Sequence, residues 1–140
     1  MTKFLLTSVI GCLLVISIHA GPIPDEFKDV APSIREVCVA ETGVPVDLIE
    51  KANNGELTAD NKLKCYLKCV FDQFRLVNDK KGVNFDVFLK LAPPSYKEVA
   101  ENIVKECRDT KAETEGDLCD LVFQINKCMR KVAGDLYFVM

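Results

Sequence analysis

The chain has 140 residues, 49% hydrophobic and 28% charged, with a formal net charge of −3. An acidic balance argues against nucleic acid or an anionic membrane as partner, because both demand a basic surface. The length suits one domain with enough apolar residues for a core and some to spare for a cavity.

In chain order, Lys3, the apolar run Phe4–Ile18 and the small pair Ala20-Gly21 read as a secretory signal peptide over residues 1–20. The run falls short of the roughly 18–20 residues that span a bilayer. Its removal takes Cys12 and His19, so the remaining domain, 21–140, holds six cysteines and no histidine. It also leaves 17 basic residues against 21 acidic ones, a formal charge of −4. An even cysteine count in a secreted domain implies disulfides, and the expected location is extracellular.

Gly21-Pro22-Ile23-Pro24 is an extended lead-in. From Asp25, Phe27, Val30, Ile34 and Val37 recur at helical spacing, predicting a helix to about Ala40, kinked or restarted at Pro32 and stopped by Gly43. Asp47–Ala52 is a short helix closed by Asn53-Asn54-Gly55. Asp60 caps a central helix running to about Val77, around which the domain is organised. On it, Leu63, Tyr66, Leu67, Val70, Phe71, Phe74 and Val77 form an apolar face, and Cys65 and Cys69 share another side one turn apart. Asn78–Gly82 is a polar turn, and Asn84 caps a short helix ended by Pro93-Pro94. Ser95 and Glu98 form a capping box that opens a helix to about Arg108. A charged loop, Thr110–Gly116, precedes the last helix, Asp117 to about Val132, ended by Gly134 and followed by the apolar tail Leu136–Met140. With no strand alternation, the fold class is all-α, a compact bundle of about six helices.

Six cysteines allow 15 pairings. Cys65 and Cys69 point the same way from one helix and are poorly placed to join. Cys119 and Cys128 lie on opposite faces, roughly 13 Å apart, where a disulfide needs Cα atoms within about 7 Å. Removing both leaves ten pairings open.

The spacing Cys38-x26-Cys65-x3-Cys69-x37-Cys107-x11-Cys119-x8-Cys128 resembles the six-cysteine pattern of insect odorant-binding proteins, the pheromone-binding and general odorant-binding group. The residues Lys62-Leu63-Lys64-Cys65-Tyr66-x-x-Cys69 and the turn Lys80-Lys81-Gly82 are similar too. The resemblance implies three interlocked bridges, Cys38–Cys69, Cys65–Cys119 and Cys107–Cys128, around an apolar cavity. It implies a secreted carrier that solubilises a small hydrophobic volatile ligand, an odorant or pheromone, for transport through aqueous fluid. The implied downstream partner is an odorant receptor. No cofactor, metal, nucleic acid or stable membrane association is expected, and the oligomeric state is monomer or weak homodimer.

Candidate lining residues are the surplus apolar side chains. These are Phe71, Phe74 and Leu76 on the central helix, Phe85 and Phe88 on the short one, and Leu118, Val122, Phe123 and Met129 on the last. The tail adds Phe138 and Val139. Tyr96, Tyr137 and Asn126 offer hydrogen bonds to a ligand oxygen. Family members that release ligand on acidification use histidines, which 21–140 lacks. Any acid switch then falls to carboxylates such as Asp135 or the terminal carboxylate, and weak pH dependence between pH 5 and 7 is expected.

Three rival readings stand against this one. Without histidine, phospholipase and serine or cysteine hydrolase chemistry is excluded. Glu113, Glu115 and Asp117 lie close in sequence, but in a solvated acidic turn. A saposin-like or lipid-transfer module calls for different cysteine spacings. A non-olfactory carrier in haemolymph, gland or saliva keeps the same fold.

Overall fold

Pro32 divides the first helical stretch in two. The structure, a computed structural model, describes residues 23–140. The expected signal peptide lies outside the described residues. Of the two alternatives, kinked or restarted, the restart occurs, giving α1 (Asp25–Lys28) and α2 (Ala31–Thr42). A proline ring clashes with the carbonyl four residues back, here that of Lys28. The helix therefore stops there and restarts with Pro32 in its first turn, where a missing N–H costs nothing. Gly43, at φ 65°, takes the left-handed turn that ends α2.

After α3 (Val46–Asn53), Asp60 caps α4 (Asn61–Gln73), its carboxylate accepting from the Lys62 and Leu63 N–H groups. α4 ends four residues before the predicted Val77. Arg75 turns to φ 56°, and the Leu76 N–H returns 3.0 Å to the Phe71 carbonyl, satisfying one of the helix's orphan acceptors. The chain then forms an antiparallel hairpin of β1 (Val77–Asn78) and β2 (Gly82–Val83), pairing Val77 with Val83 and Asn78 with Gly82. The predicted polar turn is the tip of this hairpin. Two residues per strand are too few to show alternation.

Asn84 caps α5 (Phe85–Leu91), accepting from the Asp86 and Val87 N–H groups. The expected capping box at Ser95 and Glu98 does not form. Pro93 and Pro94 start a 3-10 turn at Pro94–Tyr96, which feeds directly into α6 (Lys97–Cys107) and leaves Ser95 inside the turn. The cap position falls to Tyr96, which makes no capping bond. Asp117 accepts from the Asp120 N–H to open α7 (Leu118–Ala133), and Gly134–Leu136 forms a second 3-10 turn.

α4 is the central element. Leu63, Tyr66, Leu67, Val70 and Phe71 are buried on it, and it packs chiefly against α7 and α2, while α6 covers the other side of α7. The disulfides follow the same order. Cys38–Cys69 joins α2 to α4, Cys65–Cys119 joins α4 to α7, and Cys107–Cys128 joins α6 to α7, with Cα separations of 5.6, 4.6 and 5.7 Å. Cys65 and Cys69 thus staple two different neighbours to one helix. The fold is all-α apart from the hairpin, with seven helices among the described residues.

Candidate functional site

A cavity of about 100 Å3 lies against the second half of α4 and the second half of α7, lined by sixteen residues. α4 supplies Leu67, Val70 and Phe71, and just beyond its end come Phe74 and Leu76. α7 contributes Asn126 and Met129; α5 and its exit contribute Phe88, Leu91 and Ala92. Phe27 of α1 and Tyr96 close two more sides. The remaining wall is the tail, Tyr137 to Met140.

Apolar residues do not ordinarily stay buried at a chain's end unless something holds them. Here, four contacts hold the tail. The Asn53 side chain makes a reciprocal pair with Val139, donating 3.1 Å to its carbonyl and accepting 2.7 Å from its N–H. The Tyr66 hydroxyl donates to the Met140 main-chain oxygen. The Tyr96 hydroxyl donates 2.8 Å to the Leu136 carbonyl, and Tyr137 donates 2.9 Å to Asn126 Oδ1. Phe138 adds aromatic contacts, its ring 5.8 Å from Tyr96 and 6.3 Å from Phe27, which in turn meets Phe74 edge-on at 5.8 Å.

Of the apolar candidates read from the sequence, Phe71, Phe74, Leu76, Phe88, Met129, Phe138 and Val139 lie in this wall. Phe85, Leu118, Val122 and Phe123 do not. Phe85 packs edge-on against Phe88 at 6.5 Å and sits beside the hairpin residues Gly82 and Val83. Leu118 lies eight residues before Asn126, about 12 Å further along α7. Val122 is fully buried in solid core, and Phe123 lies beneath two ammonium groups, those of Lys64 at 5.1 Å and Lys127 at 5.9 Å. Helical periodicity separates buried from exposed faces. It does not say at which level along a helix the interior opens.

The other wall residues were partly legible. Leu67 and Val70 share the apolar face of α4, and Tyr137 and Met140 belong to the tail. Phe27 was visible only as a helical apolar position, and Ala92 gave no signal. Asn126 and Tyr137 are buried, and their polar atoms are paired rather than surface groups. Burial pushes the phenols of Tyr66 and Tyr96 up to about 12 and raises Tyr137 as well.

Outside the cavity, Lys64 and Asp120 form a 2.9 Å ion pair where α4 meets α7. Asp120 also accepts from the Glu113 and Thr114 N–H groups and from Gln124. The Lys64 hydrogen bond, then those from Gln124 and the two backbone groups, hold its pKa down at about 2 against the opposing effect of burial. The predicted acidic turn, Glu113 to Asp117, therefore serves to present backbone donors to Asp120. Among the described residues, one cluster has metal-ligand residue types, Cys38, Glu41 and Cys69. Both sulfurs are spent in a disulfide, so no thiolate is offered.

The chain matches the family model described as the PBP/GOBP family over residues 21–132. It is 32% identical to odorant-binding protein 22 of Aedes aegypti, across 87% of this chain and 88% of that one. It is 30% identical to general odorant-binding protein 69a of Drosophila melanogaster, across 72% and 67%. Among solved structures, odorant binding protein 7 from Anopheles gambiae, in complex with an azo compound, superposes with a TM-score of 0.69. That likeness is 25% in identity over 79% of this chain and 88% of that one. From its cysteine framework to the last helix, the chain belongs to the PBP/GOBP family.

Proposed function

We propose that this chain is a secreted carrier. On this reading, residues 1–20 are removed as a signal peptide, and 21–140 takes up a small hydrophobic molecule, an odorant or pheromone, in the cavity. It then delivers the guest through aqueous fluid to an odorant receptor, acting as a monomer or weak homodimer. No chemical step on the guest belongs to the proposal.

One observation carries the reading: an apolar cavity closed by the chain's own tail. An empty hole of about 100 Å3 costs roughly 2 kcal/mol in lost packing. Three disulfides linking α2, α4, α7 and α6 offset such a cost, and a guest restores the missing contacts. Each buried CH2 of that guest gains about 0.8 kcal/mol, so full burial of a chain of about ten carbons reaches the roughly 8 kcal/mol of micromolar binding. An engineered cavity of about 150 Å3 accepts benzene; longer guests require the Phe138 and Met140 side chains to move aside.

The test is uptake of the fluorescent probe N-phenyl-1-naphthylamine by oxidised 21–140, followed by displacement with a panel of volatiles at pH 7 and pH 5. Saturable uptake and micromolar displacement are expected. Among the described residues no carboxylate or imidazole side chain lines the cavity, and the main-chain end of Met140 is held by the Tyr66 hydroxyl, so the two pH values should agree within about twofold. A protein that folds and never takes up the probe ends the proposal.

A further inference from the structure

Among the described residues, three polar side chains face the cavity, those of Tyr96, Asn126 and Tyr137, and no charged one does. Their hydrogen bonds determine what capacity is left for a guest. Asn126 Nδ2 lies 2.9 Å from the Val122 carbonyl, which accepts only, so the amide nitrogen must face it. Its oxygen then faces Tyr137, and the Tyr137 hydroxyl is the donor of that 2.9 Å bond. The Tyr96 proton is likewise committed, to the Leu136 carbonyl. What remains on these three side chains is one N–H on Asn126 and the lone pairs of two phenol oxygens.

Resting on the carrier reading above, we infer that Asn126 makes this cavity selective for neutral guests carrying one oxygen function, and that carboxylate anions are rejected. An alcohol meets both kinds of free capacity at once, accepting from the Asn126 N–H and donating to the Tyr137 oxygen. A ketone or ester uses the N–H alone. A hydrocarbon leaves that buried N–H without a partner. A carboxylate brings a full charge into a wall with no cation. Arg130, whose charge is felt at the Tyr137 hydroxyl, has its guanidinium packed against Gly55 and is absent from the lining. A buried charge without a partner costs far more than a missed neutral hydrogen bond.

The experiment is probe displacement from oxidised 21–140 by a series with one carbon skeleton: decane, decanol, 2-decanone and decanoic acid. At pH 7.5, decanol and the ketone should bind roughly tenfold tighter than decane, and decanoate at least about a hundredfold more weakly than decanol. At pH 4, where the acid is largely neutral, its affinity should rise toward that of decanol while decanol stays level. In Asn126→Leu, checked for helical content by circular dichroism, the difference between decanol and decane should collapse. Decanoate matching decanol at pH 7.5, or decane matching decanol in the unaltered protein, overturns the inference. Those two results leave the carrier reading standing, whereas failure of the whole series and of the probe overturns both. The ligand series needs no variant, so an Asn126→Leu chain that fails to fold still leaves a decision.

Discussion

Asp120 is 2% exposed and carries a full charge, so its partners account for its presence. It ties together three pieces of chain: Lys64 on α4, the 113–114 backbone and its own helix, α7. Replacing it with alanine strands Lys64 and two backbone donors; Asp120→Ala should lose about 3 kcal/mol of stability, read as a lower urea midpoint. The pH dependence follows from the direction of the shifts. Asp120 has its folded pKa depressed from 3.8 to about 2, so its contribution is complete above the unfolded value and disappears as pH falls toward 2. Lys64 is raised from 10.5, so its share is complete below that value and is lost in strong alkali. Between about pH 5 and 9 the pair should contribute evenly, and in Asp120→Ala the acid limb of the stability curve should flatten below pH 4.

Among the elements, the tail gains its position from others. Its own residues offer hydrophobicity, but the register comes from Asn53 at the end of α3, which both donates to and accepts from Val139. Asn53→Ala should therefore loosen the tail without unfolding the bundle, costing roughly 1–2 kcal/mol. Amide hydrogen exchange at Val139 should quicken while the amides of α4 keep their protection. If the Val139 amide exchanges at the same rate in both, the clamp has been misassigned. The early end of α4 shows a similar dependence on neighbours. A left-handed Arg75 is a conformation no sequence rule assigns to arginine, and it is the position from which Leu76 turns inward and the hairpin begins.

At the scale of the whole molecule, the disulfides connect helices in a line, α2 to α4 to α7 to α6. The chain-entropy model ranks them by the loop each closes. Cys65–Cys119, spanning 54 residues, is worth about 4 kcal/mol, and Cys107–Cys128, spanning 21, about 3 kcal/mol. The double variant Cys65→Ser/Cys119→Ser should therefore lower the denaturant midpoint more than Cys107→Ser/Cys128→Ser. The gap should exceed the entropic difference, because the first bridge also holds α4 and α7 together beside Lys64 and Asp120. Equal midpoints would mean that neither loop length nor the α4–α7 junction ranks the cross-links.

The sequence by itself determined the helices, the caps Asp60 and Asn84 and the cysteine framework. Each of these is written in local chemistry: apolar residues every three or four positions, Asp60 and Asn84 before their helices, and cysteines at family spacing. Pro32 even marked the break between α1 and α2, though not whether the helix would kink or restart there. Only the tertiary structure decided where the interior stays open, and so parted Phe88 from Phe85 and Met129 from Val122. A side chain's burial follows from its own face of a helix, but a void is set by where two helices diverge and what crosses the gap. Here the crossing piece is the tail, seated by Asn53, Tyr66 and Asn126, and contacts spanning up to 86 residues of chain leave no trace in any local pattern.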